Sequence, residues 1–236
     1  MTPDARRLAE QLAADLREIL QARLRALVVF GSHASGSPGP GDPVHTLALV
    51  EALEFSDLEA CARRGSTWRR RGLAAPVLLP VEEFARSLDA FPIEFGAIIA
   101  HHAPVYGSDP FEGLAVRADD LRRACEVQVR SHLLHLREGY VESGGEPSGI
   151  ERLVRNSAAP LLTLLTNLAA LEETRSSPAL GPFIERAAGD AAPALRDVLA
   201  LAHDQLPTTD AARLFPSYLA ATERLAAYVD RWSHRT

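Results

Sequence analysis

Lysine is absent from all 236 residues of the chain, and every basic side chain other than histidine is an arginine. That absence excludes a P-loop lysine on a phosphate, a Schiff base and a Ser–Lys dyad. Any phosphate must instead be met by planar guanidinium groups or by backbone. Cysteine is nearly absent too: Cys61 and Cys125 stand far apart with no Cys-x-x-Cys. A disulfide framework or a zinc finger is therefore unsupported, and a reducing cytoplasm fits. Long apolar runs are also missing; none approaches the ~20 residues that span a bilayer. Asp4, Glu10, Asp15 and Glu18 interrupt the first apolar residues, so no signal peptide is expected. The expectation is a cytoplasmic protein with no membrane partner. A net charge of −6 and a pI near 5.8 argue against bulk attraction to nucleic acid. The cluster Arg63, Arg64, Arg69, Arg70 and Arg71 reads as a solvated helix face.

What is present is a regular alternation in the first half. Thr2-Pro3 opens a helix in which Leu8, Leu12, Leu16, Ile19 and Leu20 recur at helical spacing to about residue 24. Leu27-Val28-Val29-Phe30 is a buried strand ended by Gly31-Ser32, and residues 33–43 are a Gly-, Ser- and Pro-rich loop. Leu47-Ala48-Leu49-Val50 is a second strand. Ser56 and Glu59 suggest a capping box on a helix that stops at Gly72. Pro76 to Leu79 is a third strand, and Pro80 to Ala90 a helix with Glu82 and Glu83 in its first turn. Ile93 to Ile99 reads as a fourth strand, followed by His101 and His102, with Val105-Tyr106 as a short extended piece.

Beyond about residue 117 only helical periodicity remains. Leu121, Cys125, Val129, His132, Leu133 and Leu136 mark one long helix. Ser148 and Glu151 suggest a capping box on a second, with Pro160 as a kink within it. Further helices are expected at 179–188, 191–205 and 209–233. The fold class is therefore an α/β (α+β) N-terminal domain with a short mixed sheet, residues 1–115. An all-α helical bundle, residues 116–236, follows it.

Chemistry concentrates at Val28-Val29-Phe30-Gly31-Ser32-His33-Ala34-Ser35-Gly36. A strand running into Gly-Ser leaves backbone N–H groups of Gly31 and Ser32 free to cradle a triphosphate. The stretch resembles the nucleotidyltransferase superfamily, whose pattern is a hydrophobic strand, Gly-Ser, a gap of about ten residues and then Asp-x-Asp. Trp68 to Gly72, Pro92 to Phe95 and Val105 to Pro110 are similar to a bacterial subgroup with a helical C-terminal half. The resemblance implies magnesium-dependent transfer of a nucleoside monophosphate from an NTP to a hydroxyl. In such a site two carboxylates at i and i+2 share a strand face and clamp the metals.

This chain departs from that pattern. Counting from Ser32, the expected pair falls on Pro43 and His45, or on Asp42 and Val44, so at most one carboxylate remains. Glu94 is the candidate third carboxylate, and Asp42, His45 and Glu94 the candidate metal ligands. His45 suits softer metals than magnesium. The expected function is a nucleotidyltransferase-like protein with weakened or lost catalysis, using Mg²⁺ and NTP if active.

Two alternatives stand beside it. One is a non-catalytic interaction or regulatory module, forming a homodimer or binding a protein partner through its helical domain; the Leu161–Leu171 stretch serves as bundle core or as that interface. The other is a ribonuclease, because Arg130 and His135 have the Arg-x4-His spacing of HEPN-type helical domains. His132 and His135, at i and i+3, are read as surface or partly buried histidines rather than metal ligands.

Overall fold

The computed structural model describes residues 1–171, 180–202 and 211–232. The chain divides into two compact units, Met1–Arg117 and Ala118–Thr236.

In the first unit, helix α1 (Pro3–Leu20) begins where the Thr2 hydroxyl accepts the Ala5 N–H at 3.3 Å and Pro3 takes the first helical position. Its apolar stripe, Ala5, Ala9, Leu12, Leu16 and Leu20, is buried. A 3-10 turn at Gln21–Arg23 ends the helix and leads into β1 (Leu24–Phe30), which starts three residues before the apolar run predicted it. Then follow α2 (Ser32–Ser35), β2 (His45–Val50), α3 (Phe55–Arg70), β3 (Val77–Pro80), α4 (Val81–Arg86), α5 (Pro92–Ala100) and β4 (His102–Tyr106). The mixed sheet has the order β3-β2-β1-β4, with β1 antiparallel to β2 and β4, and β2 parallel to β3.

Strand alternation sends Leu27, Val29, Ala48 and Val50 to one face of the sheet, against α1 and Trp68 of α3. Ala26, Val28, Leu47 and Leu49 face the other way, onto Phe84, Phe95, Ile98 and Phe111. Both faces of β1 and β2 are covered, which is why they read as continuous apolar runs.

Several expectations are corrected here. Ile93 to Ile99 is helix α5, not a strand. Pro92 occupies its first turn, and Pro92, Phe95 and Ile98 are buried at intervals of three while Glu94 and Ala97 are exposed, a helical period. The fourth strand is instead His102–Tyr106, held by pairing with β1 that no local pattern announces. So His102 opens a strand rather than following one. The capping box of α3 is Glu54 with Asp57, two residues earlier than Ser56 and Glu59. Arg64 is not merely solvated: it reaches Asp15 and Glu18 on α1 at 2.8 and 2.7 Å.

In the second unit α6 (Ala118–Glu142), α7 (Pro147–Ala170) and α10 (Ala211–Arg231) pack together, with α8 (Leu180–Ala188) and α9 (Ala192–Ala202) against them. The ends expected at 179, 203–205, 209–210 and 233 lie outside the described residues. Helix α7 starts at Pro147 behind Glu146 without a side-chain cap, so Ser148 and Glu151 form no capping box, and it runs on through Pro160. Leu161, Leu164, Leu165 and Leu168 are fully buried within the bundle, while Leu162 of the same stretch is exposed. A polar chain crosses that core. The His132 Nε2–H donates to the Tyr218 hydroxyl at 2.6 Å, which donates to Ser157 Oγ at 3.1 Å, which donates to the Val154 carbonyl at 2.8 Å.

Candidate functional site

Strand β1 lies between β2 and β4, and its end delivers the Gly31–Ser32 turn to one end of the sheet. Gly31 sits at φ 74°, ψ −146°, a conformation that side chains disfavour. No atom lies within 4 Å of where a Cβ would be, so the glycine is there for its dihedral angles. Its N–H donates to the His101 carbonyl at 3.3 Å, and its own carbonyl accepts the N–H groups of Ala34 and Ser35, each at 3.0 Å. The first bond ties the turn to the segment between α5 and β4, so the Gly31 N–H is engaged and not free as the sequence suggested.

Asp42 closes the loop that follows. Its Oδ2 accepts the Ser32 hydroxyl at 3.1 Å and the Gly39 N–H at 2.8 Å. The Gly39 N–H first, then the Ser32 hydroxyl and the charges of His33 and His45, hold the Asp42 carboxyl below its ordinary pKa. The His33 Nε2–H donates to the Asp42 carbonyl at 3.0 Å, and its other ring nitrogen lies 3.5 Å from the Thr2 hydroxyl. The carboxylate thus serves as a loop clasp, in the manner of an Asx turn.

The residues that lead into β2 alternate in exposure. Val44 is buried and bridges to Leu73, while Pro43 and His45 are exposed. His45 stands opposite Phe30 in register, the rings 5.7 Å apart. On its other side Phe30 pairs with His102. The His102 Nδ1–H donates to the Ile99 carbonyl at 2.9 Å, and Nε2 lies 3.0 Å from Asp109 Oδ1. Asp109 also accepts the Phe111 N–H, and this bond, with His102, lowers its pKa. His33 and Asp109 escaped the sequence reading. His33 had only its place after Gly-Ser as a signal, and Asp109 only its place in a turn.

Of the carboxylates expected to hold metal, Asp42 is engaged with Ser32 and Gly39, and Glu94 is exposed in the first turn of α5 rather than on a strand. Among the described residues no three His, Cys, Asp or Glu side chains group as a metal site, so Asp42, His45 and Glu94 do not converge. Magnesium needs hard oxygen ligands in near-octahedral array. One committed carboxylate, a proline and an imidazole do not fit that requirement.

In the helical unit, Arg130 donates to Glu126 at 3.0 Å and to Asp230 at 2.8 Å, whereas exposed His135 lies 3.6 Å from Glu138. Arg130 and His135 are thus engaged with different carboxylates. His132, one turn away, is buried and bonded to Tyr218.

No protein-family model matches the sequence, and no curated protein does. Among solved structures the chain is similar to spectinomycin adenyltransferase AAD(9) from Enterococcus faecialis, crystallised with ATP and spectinomycin. Identity is 15%, the match covers 93% of this chain and 98% of that one, and the TM-score is 0.57. A toxin–antitoxin structure with AMP-PNP matches over 51% of this chain and 90% of its own at 13% identity; its TM-score of 0.32 carries no argument. The fold is nucleotidyltransferase-like, with a helical C-terminal part. No helix among the described residues is long and apolar enough to cross a membrane.

Proposed function

We propose that the chain binds a nucleoside triphosphate at the Gly31–Ser32 turn and that its transfer reaction is weakened or lost. The observation that carries this reading is the strand–glycine–serine turn of a nucleotidyltransferase-like fold, followed by a β2 whose first residue is His45, with Pro43 two residues before it, rather than paired carboxylates. The turn supplies what phosphate binding needs: an open approach at Gly31 and a serine hydroxyl. Ser32 gives that hydroxyl up to Asp42 in the absence of ligand and can turn it to a phosphate oxygen. What the site lacks is the paired negative charge that would activate an acceptor hydroxyl through metal. In this scheme Gly31 and Ser32 cradle phosphate, and Asp42 and Glu94 are remnants of the metal site. Titration calorimetry with ATP, CTP, GTP and UTP tests binding; robust pyrophosphate release with any hydroxyl acceptor would contradict the loss of turnover.

A second reading, an interaction module, is favoured by one observation. Val127, Leu134 and Val141 lie at intervals of seven along α6 and are exposed, a line of apolar side chains on one helix face. Light scattering of wild type and of Leu134→Asp tests it; a monomer in both, and no partner lost, removes it. The ribonuclease reading draws no support from geometry, since Arg130 and His135 are tied to different carboxylates.

A further inference from the structure

At the end of the sheet opposite the Gly31–Ser32 turn lies a cavity of about 460 Å³, and we infer that it binds an apolar organic molecule carrying one protonated amine. The volume is that of a small-molecule pocket. The cavity is separate from the proposed nucleotide site, because Arg25, at its edge, and Gly31 stand ~20 Å apart along β1. Two local devices build it. From Leu24 to Ala26 strand β1 advances two residues while β2 moves only from Val50 to Leu49, so Arg25 is the extra residue of a bulge. Bulges bend a strand, re-aim its side chains and are frequent beside active sites. Here the re-aimed Arg25 forms an ion pair with Glu51, and both line the cavity. The second device follows β4. Gly107 has φ 77°, and a Cβ there would collide with the Arg25 carbonyl, so only glycine lets the chain pass this close to the bulge. That approach brings Ser108 and Pro110 to the cavity wall.

Half of the lining is apolar. Ala26 and Leu49 are core residues at 3% and 2% exposure, and Val81 and Pro110 stand with them. Val81 is 43% exposed, apolar surface that a ligand would remove from water. The polar lining is Arg25, Glu51, Glu82 and Ser108, and its charges select the ligand. Arg25 is matched by Glu51, which leaves the Glu82 carboxylate in excess. Arg86 Nη2 lies 3.9 Å from Glu82, beyond hydrogen-bond distance, and both side chains are largely exposed. One guanidinium against two carboxylates favours a cation over an anion. The Ser108 hydroxyl has no partner among the described residues and is available to a ligand. An apolar body fills the floor, and its ammonium group answers Glu82.

The experiment is a ligand-observed NMR titration of the full chain with three molecules of similar shape: phenethylamine, 2-phenylethanol and 3-phenylpropionate. The expected order of affinity is amine, alcohol, carboxylate, with about threefold between neighbours at low salt. ATP should not displace the amine. Ser108→Trp, at an exposed position, fills the cavity and should abolish binding. Glu82→Gln should keep alcohol binding and lower amine affinity to the same level. No saturable binding by any of the three, no preference for the amine, or a preference that survives Glu82→Gln overturns the inference. Amine binding that persists in folded Ser108→Trp, or that ATP displaces, places the ligand elsewhere and overturns it too. Failure of ATP to bind sinks the nucleotide reading and leaves this site standing. Should Ser108→Trp not fold by circular dichroism, Glu82→Gln decides, at a side chain 89% exposed.

Discussion

The Ser32 hydroxyl and the Asp42 carboxylate lie 3.1 Å apart, so the serine of the Gly31–Ser32 turn is bonded to the acidic residue that closes the loop after it. A carboxylate used as a clasp is not free to be a metal ligand. Asp42→Asn keeps the clasp's acceptor oxygen and removes its charge. ATP affinity is expected to rise about threefold at low salt, the gain that loss of a like charge brings near a surface. A fall of tenfold or more in calorimetry would mean that the charge is required, as for a metal-holding aspartate.

Gly31 is the position where backbone conformation matters most. A substitution to alanine meets open space but a φ of +74°. Gly31→Ala should therefore lower the stability of the first unit by about 1–3 kcal/mol, seen as a lower urea midpoint. Full stability in that variant would show that the turn is not held as described.

His132 and Tyr218 make stability depend on pH. Burial, with His135 adding to it, pushes the His132 pKa down to about 4 from 6.5. The unfolded chain then binds more protons than the folded one between those values. The contribution is complete above pH 6.5 and is lost as pH falls toward 4, with a ceiling on the order of 3 kcal/mol. Urea unfolding from pH 7 to 4.5 should show this slope, and His132→Gln should flatten it. Tyr218→Phe removes the acceptor from His132 and the donor from Ser157, and should cost about 1–3 kcal/mol. A slope that survives in His132→Gln would assign it to other groups.

Glu94→Gln is expected to leave nucleotide affinity unchanged, because the side chain is exposed in the first turn of α5. Arg130→Ala should produce no change in RNA turnover, since the wild type should have none, and little change in stability, because its pairs with Glu126 and Asp230 are solvent-exposed. Calorimetry and a fluorescent-RNA assay check the two; cleavage abolished by Arg130→Ala would restore the nuclease reading.

Where the chain carries its own period, the sequence was enough. The Leu12, Leu16 and Leu20 stripe of α1, the apolar runs of β1 and β2 and the amphipathic pattern of α6 all report local geometry, because a face buried in the fold must be apolar along its length. The resemblance at Phe30-Gly31-Ser32 led to the nucleotidyltransferase-like fold, since a strand ending in such a turn is itself a local feature. The misreadings arose where local pattern is silent. Nine apolar residues at Pro92–Ala100 suit a buried strand or a helix alike, and packing of Phe95 and Ile98 onto the sheet chose the helix. His102–Tyr106 carries no strand pattern of its own; pairing with β1 made it one.

The site divides the same way. The amino-acid order by itself determined that at most one carboxylate stands where a pair was expected, whether at Pro43 and His45 or at Asp42 and Val44, because alternation along a strand follows from chain geometry alone. Only the tertiary structure decided what Asp42 does, that Leu161, Leu164, Leu165 and Leu168 are core and that Arg130 and His135 engage different carboxylates. Each of these depends on a partner distant in sequence, such as Ser32 for Asp42 or Asp230 for Arg130, and contact between distant residues is a property of packing.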